Sequence, residues 1–330
     1  MGANRRFALG VLCVIMALWG TIFLTSCSGG QLFSGSSDLR NTDPVDSDKR
    51  ANPGQPRDNT PQVLVAQQPG ELVAGDYNSV IVDYSNCSQG YISAESFLVN
   101  IKAKVLVYAP GETNYYQYVI PPTATFVTIP LTKGSGLYEI AVYEHLYDDQ
   151  YSGLFSQDIT VELASELTPF LYPNQYVSFT EGDDAVNLSQ TVTENATSDV
   201  EAVDQIYMYV VETITYDYDK AANVQPGYLP NNSNTLQTQD GICFDFASLT
   251  AAMMRAQRLP TKLDIGYCGE AYHAWIEVYT QDKGWIRRDI EFPGDAFVRL
   301  DPTFDSAGKG KGDISRIIGD GTNYFPMFYY

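Results

Sequence analysis

Hydrophobic and polar residues alternate with a period of two between about residues 76 and 163. Six short runs rich in Val, Ile, Tyr and Phe follow one another there, separated by Gly- and Pro-containing turns. The runs are residues 78–84, 97–109, 115–120, 125–131, 137–147 and 157–163. This period matches the alternation of side chains along a β-strand. The pattern predicts a small all-β sandwich of the Ig-like type over residues 76–165.

Beyond about Ala164 the period changes to that of a helix. Ser198 and Glu201 form a capping-box pattern, which predicts a helix start. The apolar residues that follow recur at three- and four-residue steps: Val200, Val203, Tyr207, Val210 and Ile214. After a polar loop over residues 227–239, good helix formers continue to Arg255, and Leu259-Pro260 ends the run. Two helices are therefore predicted, the second starting near Cys243.

Strand-like patterns return after the second helix. Alternation over residues 272–279 places His273 and Trp275 on one face of a strand, and another strand is predicted around residues 285–290. Helices mixed with such strands predict an α+β domain over residues 166–330.

The first 75 residues are predicted to lie outside any folded domain. Residues 1–27 combine two arginines, an apolar run and a cysteine, which is typical of an export signal. Residues 24–27 resemble a lipobox, so Cys27 is the expected lipidation site and the chain is expected on the outer face of a bacterial cell membrane. An uncleaved membrane anchor or an ordinary signal are the alternatives. Residues 28–75, rich in Gly, Ser, Pro, Asp and Asn, are predicted to form a disordered tether.

The charge narrows the range of partners. A formal net charge of −20 repels phosphate backbones and anionic headgroups. We therefore expect no nucleic-acid partner and no polybasic membrane docking, only the membrane contact of the N-terminal lipid.

The cysteines and histidines indicate neither a disulfide framework nor a metal site. Beyond Cys13 and Cys27 the chain has Cys87, Cys243 and Cys268, and we favour buried free thiols over a Cys87–Cys268 bridge. The sequence contains no CxxC, no HExxH and only two histidines, so we expect no metal and no cofactor. His145, in a Tyr-rich strand, is interpreted as a surface or packed histidine.

Cys243 is the candidate nucleophile because of its place at a predicted helix start. Unsatisfied amides and the helix dipole favour a thiolate there, although a small residue that only packs is the alternative. His273 is the candidate base, and Asp301 the residue that orients it. Asp289, on the intervening strand, is the alternative to Asp301. Cys268 lies at a strand end and is interpreted as structural.

Three blocks carrying these residues resemble the transglutaminase-like superfamily, in its bacterial exported form. They are GICFDFASLTAAMMRAQRLP, YHAWIEVY and RLDPTF, and the resemblance spans residues 207–305. It implies a papain-like fold, with the cysteine helix packed on an antiparallel sheet, and a Cys243–His273–Asp301 triad. A preceding β-sandwich is a common companion of such domains.

The resemblance also suggests where an oxyanion would be held. The backbone N–H of Cys243 is one natural donor. The second donor in relatives is often an upstream aromatic or amide side chain, for which Tyr216, Gln237 and Gln239 are the candidates. Trp275 is expected to form either the wall of the cleft or part of the core.

The expected function is acyl transfer through a thioester on peptide or protein amides. Transfer to water would make the protein a cysteine peptidase or amidase, and transfer to an amine a transglutaminase; exposure to bulk water slightly favours hydrolysis. Peptides, cell-wall peptides and surface proteins are the expected substrates. The alternative is an inactive surface scaffold whose sandwich binds peptides or polymers.

Overall fold

Two antiparallel sheets occupy the first part of the fold. The computed structural model describes residues 56–123, 125–286, 290–292, 296–298 and 324–330. The first eight strands are β1 (Val73–Gly75), β2 (Val80–Asp83), β3 (Tyr91–Ser96), β4 (Ala103–Tyr108), β5 (Tyr115–Ile120), β6 (Val127–Pro130), β7 (Gly136–Tyr147) and β8 (Gln150–Val161). One sheet has the order β1-β2-β3-β6 and the other β5-β4-β7-β8. All neighbouring strands in both sheets are antiparallel.

The alternation in the sequence explains how these sheets are buried. In β4, Ala103, Val105 and Val107 are buried while the residues between them are partly exposed. They share one hydrophobic core with Val80 and Val82 of β2, in the other sheet. Removing these side chains from water stabilises the pairing of the sheets. The prediction of antiparallel sheets preceding a mixed α+β region is confirmed.

The strand β3 was not predicted, because its sequence does not alternate. It lies between β2 and β6, and both faces are buried except at Glu95, which is partly buried. Small residues such as Ser93 and Ala94 fit this crowded position but give no hydrophobic signal. Burial on both faces is a property of the assembled sheets, and the local sequence does not encode it.

The rest of the described chain is a mixed region of five helices and eight strands. The helices are α1 (Asp184–Val192), α2 (Asp199–Thr213), α3 (Tyr218–Asn223), α4 (Asn232–Thr238) and α5 (Cys243–Ala256). The strands are β9 (Thr215–Tyr216), β10 (Asp240–Gly241), β11 (Thr261–Cys268), β12 (Ala271–Thr280), β13 (Gly284–Ile286), β14 (Ile290–Phe292), β15 (Ala296–Val298) and β16 (Tyr324–Tyr329). A four-stranded antiparallel sheet has the order β13-β12-β11-β16.

Helix α5 is the centre of this region. Every residue from Asp245 to Ala256 is buried, and the helix packs on β11 and β12. Leu263, Ile265 and Ile276 of those strands share its hydrophobic core. A cysteine helix packed on an antiparallel sheet was predicted, and the structure confirms that arrangement.

Helix α2 begins where its capping pattern predicts. The Ser198 side chain accepts a hydrogen bond from the Glu201 N–H, at 3.2 Å. The Glu201 carboxylate instead accepts from the backbone N–H and the hydroxyl of Thr197. These bonds satisfy donors at the helix start that would otherwise lack partners.

Strand β16 completes the sheet from the far end of the chain and was not predicted. It pairs with β11, and the register shifts at Ile265 and Gly266. A Cβ atom on Gly266 would lie 2.1 Å from the backbone oxygen of Phe325, so this approach requires glycine. The pairing brings the last residues of the chain beside the cysteine helix.

The predicted tether over residues 28–75 differs from the structure where the chain is described. Residues 57–62 hydrogen-bond to the helical region, and residues 67–72 hydrogen-bond to residues 83–91 of the sandwich. Arg57 is buried, and its guanidinium donates to Asp199 Oδ1 at 2.7 Å and to Gln257 Oε1 at 2.9 Å. The Gln257 amide donates in turn to the Asn59 carbonyl. Long-range polar contacts, together with Val63 and Leu72 packed against the hydrophobic core, thus order this segment.

Replacing Arg57 by alanine is expected to release this segment. The substitution removes the ion pair to Asp199, so the backbone bond from Gln62 N–H to the Ala256 carbonyl should open more often. We expect amide hydrogen exchange over residues 57–65 to accelerate about tenfold or more, as measured by mass spectrometry. Arg57→Lys keeps the positive charge but loses the planar guanidinium with its several donors, and it should give a smaller increase in the exchange rate. Unchanged exchange in Arg57→Ala would contradict the role given to this contact.

The described cysteines differ in their bonding. Cys243 and Cys268 are both thiols, so the alternative bridge between Cys87 and Cys268 does not form. Cys87 is disulfide-bonded, contrary to the expectation of a free thiol. Cys27, the expected lipidation site, lies outside the described residues.

Within the described ranges, no helix combines the length and the apolar character needed to cross a bilayer.

Candidate active site

Cys243 is the first residue of α5, as the sequence predicts. Its predecessor Ile242 has extended backbone angles, so the chain turns sharply into the helix. Gly241 makes this turn possible, because a Cβ atom there would lie 2.7 Å from the Cβ of Asp245. The Cys243 side chain is partly exposed, whereas Cys268 is buried. A thiol in this position has solvent access and lies in the positive field of the helix N-terminus.

His273 lies in the antiparallel sheet on which α5 packs. It belongs to β12 and is paired with Gly266 of β11. Its side chain is buried, and its ring is stacked with that of Trp275, with centroids 6.2 Å apart. The ring of Tyr324 in β16 lies 6.4 Å away. Trp275 is thus a buried partner of His273, which fits the core role more closely than that of an open wall.

Cys243 and His273 line the same cavity, which has a volume of about 440 Å³. Its walls combine aliphatic with aromatic side chains, and the aromatic ones include Tyr176, Tyr216, Tyr228, Tyr272, Phe328 and Tyr330. Such a lining excludes water from part of the cavity and suits apolar or aromatic groups. The sequence places these tyrosines far apart, and only the tertiary fold gathers them around Cys243.

The structure distinguishes among the predicted oxyanion donors. Tyr216 lines the cavity, where its position is fixed by the parallel pairing of β9 with β10. Gln237 and Gln239 are exposed and do not line it. Gln239 instead ends α4 in a left-handed conformation, with φ of 57°. The candidate orienters Asp301 and Asp289 lie outside the described residues.

Tyr272 is a residue of the cavity that the sequence analysis missed. It precedes His273, lies near enough to Cys243 for their charges to interact, and is more than half exposed. Burial of the phenol raises the pKa of Tyr272, and negative charge on Tyr267 and Cys243 raises it further. Tyr272 is therefore a neutral hydrogen-bonding group beside the thiol. Its adjacency to His273 was the available signal.

The sandwich also contributes to the cavity, which was not predicted. Gln117 and Val119 of β5, one edge strand of its sheet, line the cavity. The Gln175 amide accepts from Val119 N–H at 3.2 Å, and the Tyr176 hydroxyl donates to the Gln117 carbonyl at 2.5 Å. The loop that carries Gln175 and Tyr176 thus joins the sheet edge to the cavity wall.

A buried carboxylate lies two residues beyond Cys243. Asp245 is completely buried, and its Oδ2 accepts from Ile242 N–H at 2.8 Å and from Lys220 Nζ at 2.7 Å. Its Oδ1 accepts from the Tyr228 hydroxyl at 2.5 Å. Burial alone would lower the pKa of Lys220, but its hydrogen bonds to Asp245 and Tyr228 and the charge of Asp245 raise it overall. Lys220 therefore stays cationic throughout the neutral range, and the stability it adds is lost only as pH rises through its raised pKa.

A family comparison identifies this region of the chain. Residues 186–290 match the model of the transglutaminase-like superfamily. These residues include α5 with Cys243 and most of the sheet with His273. The chain thus carries a transglutaminase-like domain.

Individual relatives are distant. UPF0252 protein MJ1282 of Methanocaldococcus jannaschii is 30% identical over 88 residues, which cover 23% of this chain and 25% of that protein. A proposed cysteine protease from Cytophaga hutchinsonii is 16% identical, with a TM-score of 0.35, over 64% of this chain and 78% of that one. Red sea bream transglutaminase is 12% identical, with a TM-score of 0.28, over 59% and 47% respectively. The assignment rests on the family match, not on these two structures.

Proposed function

We propose that this chain, which carries a transglutaminase-like domain over residues 186–290, is a thiol enzyme that transfers acyl groups from peptide or protein amides. One observation supports the proposal above all. A partly exposed cysteine at a helix start and a buried histidine line one aromatic cavity within the matching residues. A nucleophile and a base at one substrate-sized cavity are the basic requirements of covalent acyl transfer.

The first half-reaction forms a thioester. His273 accepts the proton of the Cys243 thiol, and the thiolate attacks the carbonyl carbon of an amide. The tetrahedral intermediate collapses, its C–N bond breaks, and the leaving amine takes the proton from the imidazolium. The acyl group is then bound to Cys243 Sγ.

The second half-reaction releases the acyl group. Water or an amine attacks the thioester carbonyl and gives a proton to His273, and the Sγ–C bond breaks to restore the thiolate. Water yields a carboxylic acid, and an amine yields a new amide. Both outcomes share the first half-reaction, and competition between the two acceptors decides which product dominates.

The negative oxygen of the intermediate requires hydrogen-bond donors. We assign the backbone N–H of Cys243 as one donor, since the first amides of a helix have no intrahelical acceptor. We assign the Tyr216 hydroxyl as the second, because Tyr216 lines the cavity and neither Gln237 nor Gln239 does. Asp301 is proposed to orient His273 and stabilise its protonated form.

Alkylation tests the activation of the thiol without a known substrate. We expect iodoacetamide to modify Cys243 well below pH 8 and faster than Cys268. Cys268 is buried, so that difference alone follows from exposure. The sharper comparison is at Cys243 itself, where His273→Ala should slow labelling at pH 7 about tenfold.

The chain supplies its own control for this experiment. His145, the other histidine, is partly exposed on β7, and its Nε2 contacts the Asp148 carbonyl. His145→Ala should leave the labelling of Cys243 unchanged. The labelling rate of Cys243 is measured by mass spectrometry of the peptides. Equal rates in wild type and His273→Ala would sink the claim of an activated nucleophile.

A further inference from the structure

One wall of the cavity is a segment that packs poorly on the rest of the protein. We call residues 218–229 the lid segment; it comprises α3 and the loop that follows. Helix α3 has no buried residue. The lid segment nevertheless lines the cavity beside Cys243 through Ala221, Val224, Gln225, Gly227, Tyr228 and Leu229. It therefore separates the thiol from solvent on that side.

A single carboxylate holds the lid segment. The hydrogen bonds of the lid segment to Asp217, the residue just before α3, and those within the segment are local. All its other hydrogen bonds to described residues end on Asp245, from Lys220 Nζ at 2.7 Å and from the Tyr228 hydroxyl at 2.5 Å. The ring contacts of the lid segment are those of Tyr228 with Phe244, whose centroids are 6.3 Å apart, and of Tyr218 with Tyr216, at 4.8 Å; neither is a hydrogen bond.

The carboxylate itself does not move easily. Asp245 lies in the first turn of α5, is completely buried and also accepts from Ile242 N–H. Asp245 is therefore a fixed acceptor on the cysteine helix, to which Lys220 and Tyr228 donate. Charge-assisted bonds of this kind are strong in a buried setting, so the closed position is favoured while both are made.

We propose that Lys220 and Tyr228 are specificity-determining residues: by latching the lid segment to Asp245, they limit the size of the group that reaches Cys243. The latched lid admits small or slender acyl donors to the cavity and excludes bulky ones. The proposal rests on the proposed function only in taking Cys243 as the reacting group. Breaking one latch bond raises the open population, and access of bulky groups rises with it.

Two reagents with the same electrophile test the latch. The full chain is treated with iodoacetamide or with iodoacetamide coupled to fluorescein, and the labelling rate of Cys243 is measured for each. The ratio of the bulky to the small reagent reports access, because the reactivity of the thiol cancels. Tyr228→Phe removes one hydroxyl and keeps the ring, and we expect it to raise this ratio about tenfold. Lys220→Met should raise the ratio at least as much.

Tyr218→Phe is the matched control. Tyr218 belongs to the same segment but is exposed, and its hydroxyl makes no hydrogen bond to a described residue, so the ratio should not change. Circular dichroism checks that each variant is folded. If Lys220→Met does not fold, the labelling ratio of Tyr228→Phe alone tests the latch. An unchanged ratio in Tyr228→Phe, or an equal rise in Tyr218→Phe, would overturn the latch. Loss of thiol activation would instead slow both reagents together and leave the ratio intact, so it bears only on the proposed function.

Discussion

Replacing Cys243 by alanine is expected to remove all acyl transfer, a loss of about 10⁴-fold or more, because no thioester can form without the thiol. Peptide libraries with and without an amine acceptor would be incubated with each protein, and products identified by mass spectrometry. New carboxylic acids would show hydrolysis, and mass-shifted conjugates would show amine transfer. The same experiment therefore identifies the acceptor.

Cys268→Ala is the control for this substitution. Cys268 is buried at the end of β11 and does not line the cavity, so its alanine variant should keep the activity. If neither cleavage nor conjugation depends on Cys243, the scaffold interpretation replaces the enzymatic one. A fall in activity of equal size in both variants would point to a loss of folding instead.

Replacing Arg255 by methionine is expected to give the largest loss of stability. Arg255 is 1% exposed, and its guanidinium donates to the carbonyls of Tyr172, Thr261 and Tyr330. Burial lowers the pKa of Arg255 to about 9, so removing the cation also removes a desolvation cost. The three carbonyls left without this donor outweigh that gain. We expect the free energy of unfolding in urea to fall by about 3 kcal/mol.

Arg255→Lys separates charge from geometry. Lysine keeps the buried charge but cannot reach three carbonyls that lie in different directions around a planar fork. We expect it to be at least as destabilising as Arg255→Met. If Arg255→Lys had wild-type stability, this site would require only the positive charge and not the planar geometry of the guanidinium. Because Tyr172, Thr261 and Tyr330 lie in three separate segments, the same measurement tests how firmly these segments are held together.

Much of the fold could be read from local patterns. The alternation over residues 78–163 predicts strands because one side of each strand faces the core, and the burial of Ala103, Val105 and Val107 follows that alternation. The helix starts at Asp199 and Cys243 follow from capping and turn chemistry, which acts over a few residues. The predictions fail where residues far away in the sequence bury or pair with a segment, as in β3, β16 and the segment around Arg57.

The candidate site divides in the same way. The blocks around Cys243 and His273 are local; the sequence predicted these residues as nucleophile and base, and both line the cavity. The donors Gln237 and Gln239 were considered because they lie just upstream of Cys243, yet both are exposed and outside the cavity. The position of a residue along the chain does not predict where its side chain points, and α4 turns these two side chains towards solvent.

By itself, the sequence determined the transglutaminase-like domain and its thiol-based enzyme fold, because a cysteine at a helix start, a histidine on a strand and the family blocks depend on neighbouring residues. It also supplied the expectations that lie outside the described residues, namely the export signal, the lipid on Cys27 and the role of Asp301. The tertiary structure decided which groups surround the thiol. Tyr272, the β5 edge and the Asp245 latch come from segments far apart in sequence, and only long-range packing brings them to one cavity.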